Sequence, residues 1–289
     1  MPRMDGLEVL RRLMAEQPTP VVMVSSVTQH QTPIAVEALM LGAMDIVAKP
    51  GGAISLNLAD VRDEIVAKVR AAAKAKVERR KRDVGDETRT PVKAVRDVVA
   101  AAETAPSAVG PAPVIIGSST GGPAALSQVL ADLPPDLARP VVIVQHMPAG
   151  FTASLAKRLD RLSPLTVREA IDFQQPRPGE AWVAPGGVHL VFDRHGRMRF
   201  SRTEPHLGMR PAVDLTLESA VEVWGGDVVA VILTGMGVDG ARGARKPLPG
   251  RPPGASGRSR RVESRVGIDP ATGRGSVHAG IQASRHGRR

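Results

Sequence analysis

Three apolar stretches of this chain each end on a side chain suited to acyl transfer. "VIIGSST" delivers Ser118, Ser119 and Thr120, "VVIVQH" delivers His146, and "AVILTGMGVDG" delivers Asp239 after a glycine turn. Hydroxyl, imidazole and carboxylate form a nucleophilic triad when they converge: the ring takes the hydroxyl proton and the carboxylate orients the ring. The first stretch also fits Gly-x-Ser-x-Gly as Gly117, Ser119 and Gly121. That elbow lifts a hydroxyl above a strand and points the next backbone N–H at a developing oxyanion. Pro123 suits a first helical turn, where a missing N–H costs nothing. Each residue taken singly has a plainer reading. Ser118 or Ser119 could cap the helix that follows, His146 could belong to any loop after a strand, and Asp239 sits in Val-Asp-Gly, which is turn chemistry. Asp214 is the rival carboxylate, although it lies inside a helical pattern after "RP". A phosphate cradle is disfavoured, because the turn has no Gly-Lys-Ser/Thr ending and no G-x-G-x-x-G.

What brings the three together is the pattern of elements. From Pro113 onward strands and helices alternate: "VII", "PAALSQVLADL", "PVVIVQ", "FTASLAKRLDRL", short strands around "AWVAPGGVHLVFD" and "RMRFSR", helix "PAVDLTLESAVEVW", and strand "DVVAVILTG". Apolar runs without alternation suit strands covered on both faces. In an open parallel sheet, ligands and catalytic groups gather beyond the carboxyl ends of the strands, and all three residues fall on that edge. The acid follows the histidine in the chain, an order unlike that of the α/β-hydrolases.

A smaller α/β unit precedes this one. "GLEVLRRLMAEQ" has helical spacing, "PVVMVSS" is a β-branched run, "TPIAVEALMLGA" is helical again and "MDIVAKP" is a short strand. The pattern implies a parallel sheet, but it opens on a helix where such a sheet normally opens on a strand. Residues from Ser55 to about Arg82 read as a solvated helix leading into a tether that closes in Pro, Ala, Ser and Gly. Residues 1–54, 55–112, 113–241 and 242–289 therefore read as a small α/β domain, a helix with linker, a larger α/β domain and a basic tail.

The net charge of +10 belongs to the tail. Twelve of the 39 Lys+Arg but two of the 29 Asp+Glu fall between Ala241 and Arg289, so the preceding 240 residues carry equal numbers of each sign. Four Phe, two Trp and no Tyr do not interleave with the basic residues, so a stacking platform for nucleic acid is not expected. The tail has few large aliphatic residues and many Gly and Pro, a composition that predicts disorder. The absence of cysteine excludes disulfides and thiolate chemistry. With no long apolar run and no signal-peptide pattern, the chain is expected to be cytoplasmic and monomeric, without membrane insertion.

Together, "IGSSTGGPAAL", "VVIVQHMPAGFTASLAKRL", "VAPGGVHL", "RPAVDLTLESA" and "VILTGMGVDGA" resemble the catalytic domain of the chemotaxis protein-glutamate methylesterases, which also act as protein-glutamine glutaminases. "MPRMDGLEVLRRL", "PVVMVSS" and "ALMLGAMDIVAKP" resemble the second half of a response-regulator receiver domain. The resemblance implies a partial flavodoxin-like receiver domain followed by a doubly wound parallel-sheet methylesterase domain. It makes Ser119 the nucleophile, His146 the general base and then acid, and Asp239 the orienting carboxylate. Thr120 is implied near the nucleophile, and the Met236 N–H in oxyanion binding. Methyl esters of glutamate would lose methanol and glutamine would lose ammonia, on the cytoplasmic helices of chemoreceptors, without metal or organic cofactor. In the receiver half, Ser25 and Lys49 match the hydroxyl and lysine that surround a phosphoryl group in that family.

Two departures go with the resemblance. The phospho-acceptor aspartate would precede Met1, so phosphorylation by the chemotaxis kinase is not expected. After about residue 242 the family's pattern gives way to Arg, Pro and Gly, so the catalytic domain is expected to be incomplete at its C-terminus, with a tail that is either genuine or out of frame. The competing reading is an inactive remnant that docks on a receptor or kinase, or binds nucleic acid through the tail.

Overall fold

A computed structural model of the chain describes residues 4–26, 28, 31–49, 61–74, 109–235, 238–245, 263–268 and 275–280. Helix α1 (Gly6–Glu16) begins where Asp5 accepts the Glu8 N–H at 2.8 Å, and it buries Leu7 and Leu10, one turn apart. Strands β1 (Val22–Ser25) and β2 (Asp45–Ala48) pair in parallel, with α2 (Gln31–Leu41) between them in sequence. Of the helix expected from Ser55 to about Arg82, α3 (Arg62–Lys74) is described; the rest of that helix and the tether after it as far as residue 108 lie outside the described residues.

The larger unit runs β3 (Val114–Ser118), α4 (Gly122–Ala131), β4 (Val141–Gln145), α5 (Thr152–Asp160), β5 (Thr166–Glu169), β6 (Glu180–Val183), β7 (His189–Phe192), β8 (Met198–Ser201), α6 (Val213–Trp224), β9 (Val229–Ile232) and α7 (Ala241–Arg245). Strands β9, β3, β4, β6 and β5 lie side by side in that order, all parallel, while β7 and β8 form a separate antiparallel pair. Every residue of β3 and β4 is buried, as unbroken apolar runs require when both faces are covered. On one face, Leu126 and Leu130 of α4 and Leu155 of α5 pack in a core that continues into Leu10, Leu39 and Ile46 of the N-terminal unit. On the other face, Ile115 and Val142 meet Leu217 and Trp224 of α6, with Phe192 edge-on to Trp224 at 5.0 Å.

Beyond residue 242 the structure differs from the disorder that composition predicts. Helix α7 packs on α6, and β10 (Glu263–Ile268) and β11 (Gly275–Gly280) extend the sheet past β9. Strand β10 meets β9 through Ser264↔Val231 and Arg265↔Ile232, and β11 folds back on β10 in antiparallel register. An edge strand offers unpaired N–H and C=O groups, and pairing with them uses backbone whatever the side chains are. The remaining residues of 242–289 lie outside the described set. No helix among the described residues is long and apolar enough to cross a membrane.

Candidate active site

Ser119 follows β3 directly and turns the chain into α4. Its N–H donates to the Thr234 carbonyl at 2.9 Å, and its own carbonyl accepts from the Gly122 N–H at 2.7 Å. The turn needs glycine twice. Gly121 takes φ of +75°, and a Cβ on Gly122 would lie 1.9 Å from Gln145 Oε1. Helix α4 has no side-chain cap, so the capping role considered for Ser118 and Ser119 does not hold. Ser118 instead donates to Gln145 Oε1 at 2.6 Å, deep beneath the turn. The hydroxyl of Ser119 has no hydrogen-bond partner among the described residues, and Ser119 and His146 line one cleft.

His146 follows β4, and its N–H donates to the Ser118 carbonyl at 3.0 Å, which continues the β3–β4 ladder to the two functional side chains. Its Nε2 lies 2.7 Å from Asp239 Oδ2, and both side chains are nearly enclosed. Nδ1 is buried and has no hydrogen-bond partner among the described residues. Asp239 also accepts the backbone N–H groups of Val213 at 2.7 Å and Asp214 at 2.9 Å. Burial would raise its carboxyl, but the hydrogen bonds from His146, Asp214 and Val213 outweigh it and hold the group below the ordinary aspartate range. The ionised carboxylate therefore accepts a hydrogen bond from Nε2–H, and that tautomer leaves the ring's lone pair on Nδ1.

The other predicted positions fall as follows. Thr120 donates from Oγ1 to Asp45 Oδ2 at 2.6 Å, and its carbonyl accepts from Thr234 Oγ1 at 3.1 Å. Met236 lies outside the described residues. Ser25 ends β1 and Lys49 follows β2, joined by a bond from the Lys49 N–H to the Ser25 carbonyl at 2.8 Å. Asp214, the rival carboxylate, bonds His206 Nε2 at 3.2 Å, while it is Asp239 that bonds His146. His206, Asp214 and Asp239 cluster closely enough to suggest a metal site. Their atoms are already committed to one another, to His146 and to backbone N–H groups, which makes the cluster a hydrogen-bond network.

Two residues escaped the sequence reading. Gln145 accepts from Ser118 and donates to the carbonyls of Ser119 and His146 at 2.9 and 3.0 Å, so one amide braces both turns. Its signal was a polar residue closing an otherwise apolar buried strand. Asp45 reaches the nucleophile turn from the N-terminal unit, and the neighbouring Met44 carbonyl accepts the Gly121 N–H at 3.0 Å. Met44, Asp45 and Leu39 thus wall the cleft opposite Ser119.

Residues 114–246 match the family model for CheB methylesterase and residues 1–59 that for the response regulator receiver domain. The protein-glutamate methylesterase/protein-glutamine glutaminase of Symbiobacterium thermophilum is 49% identical over 249 residues, covering 84% of this chain and 68% of that protein. The chain belongs to this family. Its relative of the same name in Geobacillus kaustophilus is 47% identical over 249 residues, 85% of this chain and 69% of that protein. The crystal structure of the Thermotoga maritima CheB methylesterase catalytic domain is 48% identical, covers 46% of this chain and 71% of that chain, and superposes with a TM-score of 0.44.

Proposed function

We propose that this methylesterase-family chain hydrolyses γ-methyl esters of glutamate, and deamidates glutamine, on the cytoplasmic helices of chemoreceptors. The observation that carries the reading is the free Ser119 hydroxyl in a cleft shared with His146, whose far nitrogen is held by Asp239 at 2.7 Å. Ser119 Oγ attacks the side-chain carbonyl carbon as its proton passes to His146 Nδ1. The imidazolium then protonates the departing methoxide, or the amine of a glutamine, and methanol or ammonia leaves. Water enters and gives a proton to Nδ1 as its hydroxide attacks the acyl carbon; the imidazolium then returns that proton to the departing Ser119 Oγ, freeing glutamate. The Thr120 N–H, next after the nucleophile, is the donor that an elbow of this kind offers the oxyanion, and Met236 is assigned the second donor.

Receptor cytoplasmic fragments carrying labelled methyl esters test the reading directly. Expected is release of methanol that falls by ~10⁴-fold or more with Ser119→Ala or His146→Ala, the scale on which triad members act. A serine-directed phosphonate should label Ser119 in the intact chain and not in His146→Ala. Turnover unchanged in both variants, or no labelling of a folded chain, would overturn the assignment.

A further inference from the structure

Helix α6 starts with an alanine, Ala212, at its N-cap and therefore has no capping side chain of its own. The first N–H groups of a helix need acceptors, and here Asp239 supplies them from another loop, taking those of Val213 and Asp214. The converse also holds. The Oδ1 atom of Asp214 accepts the N–H of Gly240 at 2.9 Å and of Gly243 at 2.7 Å, the residues that lead into and form α7. Asp239 thus caps the helix in which Asp214 lies, and Asp214 caps the helix that follows Asp239. Glycines make the approach close enough: Gly240 has φ of +93°, and a Cβ on Gly243 would lie 2.8 Å from Leu217 Cβ.

We propose that Asp214 is a positioning residue for the triad, holding the backbone of Gly240 and Gly243 so that the Asp239 carboxylate stays on His146 Nε2. It touches neither nucleophile nor base. Its side chain is 2% exposed, although nothing in the hydrolytic steps uses it. The groups facing it are His206 from the preceding loop, Arg242 of α7 with Nε at 4.0 Å, and Asp239 across the clamp. Across the cleft from His146 stand Asp45 of β2 and, paired with it at 3.1 Å, Lys68 of α3. The inference rests on the reading of His146 and Asp239 as the catalytic pair.

The experiment compares Asp214→Ala and Asp214→Asn in the full chain by two readouts. One is the strongly deshielded proton NMR signal of an imidazole N–H bonded to a carboxylate, which needs no turnover. The other is kcat with an activated methyl ester. Asparagine keeps an oxygen for both N–H groups, and alanine keeps nothing. Expected are a retained signal and kcat within a few-fold for Asn. For Ala, a lost signal and a fall of about 10²-fold in kcat are expected, the scale of a 1 Å misplacement. An Ala variant that keeps the signal and the rate would overturn the clamp. Should Ala not fold, the Asn variant still decides: loss of its signal would mean that charge at 214, not the N–H acceptor, is what matters, and would overturn it too. A wild-type chain with the signal but without turnover would defeat the catalytic reading while leaving the clamp testable.

Discussion

Thr120 donates a 2.6 Å hydrogen bond to Asp45, tying the residue after the proposed nucleophile to a strand of the N-terminal unit 75 residues earlier. The other carboxylate oxygen of Asp45 is braced by the Ile46 N–H at 2.7 Å and by Lys68 Nζ at 3.1 Å. The contact is therefore rigid on the Asp45 side. It brings Met44, Asp45 and Ile46 into the lining of the same cleft as Ser119.

Replacing Asp45 by alanine removes a hydrogen bond to a charged group, worth about 1.5 to 3 kcal/mol. If that bond limits access, Asp45→Ala should speed phosphonate labelling of Ser119 by up to about tenfold. The gain should be larger for a bulky probe than for a small one. Equal rates for wild type and variant with the bulky probe would show that the contact does not restrict entry.

Gln145 places three bonds beneath the turns that carry Ser119 and His146, and leucine has nearly its size with none of them. Gln145→Leu leaves the carbonyls of Ser119 and His146 and the hydroxyl of Ser118 without this partner. At roughly 1 to 3 kcal/mol for a stranded buried group, a loss near 3 kcal/mol is expected by urea unfolding. The esterase rate should drop at least tenfold at temperatures where the variant is fully folded. A variant that loses stability but keeps its rate would make Gln145 a fold residue alone.

The placement of Ser119, His146 and Asp239 at one sheet edge was legible in sequence because each comes after an apolar run, and such runs identify parallel strands and the edge at which they end. Ser119, His146 and Asp239 all share that signal. Asp45, Gln145 and Asp214 lacked it, since their roles depend on partners brought close only by folding. Asp214 sits in an amphipathic helix, Asp45 opens a strand, and Gln145 reads as a strand terminus. At α7, β10 and β11 the structure departs from the disorder that composition predicts for a different reason. Composition measures how much apolar side chain can be buried, whereas an edge strand recruits backbone and Asp214 receives the Gly243 N–H of α7.

Acid should unfold the protein in two steps. His189 is fully enclosed; burial first, then the nearby Arg210 and His206, hold its imidazole below the usual value despite its bond to the Glu204 carbonyl and the charge of Asp239. The unfolded chain protonates this residue near pH ~6.5 while the native one does not. Its contribution is thus complete above that pH and declines as pH falls toward the native value. Asp239 is likewise held low, so its contribution is complete above ~3.9 and disappears as pH drops through the lower native value. Urea unfolding between pH 7.5 and 3 should show both declines. His189→Gln, which can still donate to Glu204, should flatten only the first. A first decline that persists in this variant would assign it to another group.

Gly117 is the glycine of the elbow that carries no positive φ, and its constraint is contact. A Cβ there would lie 2.7 Å from Val213 Cγ1 and 3.1 Å from Ile232 Cδ1. Val213 gives its N–H to Asp239, so pressing it away from β3 also pulls on the catalytic carboxylate. Gly117→Ala should cost about 1 to 3 kcal/mol by overpacking. It should also slow ester hydrolysis by ~10-fold or more while KM changes little, because the displaced group orients the base rather than binding substrate. Val213→Ala opens the space that the new methyl group needs. The double variant should recover much of the lost rate, as expected for neighbours that share one contact. Strictly additive rate losses would place the effect of residue 117 elsewhere than on Val213.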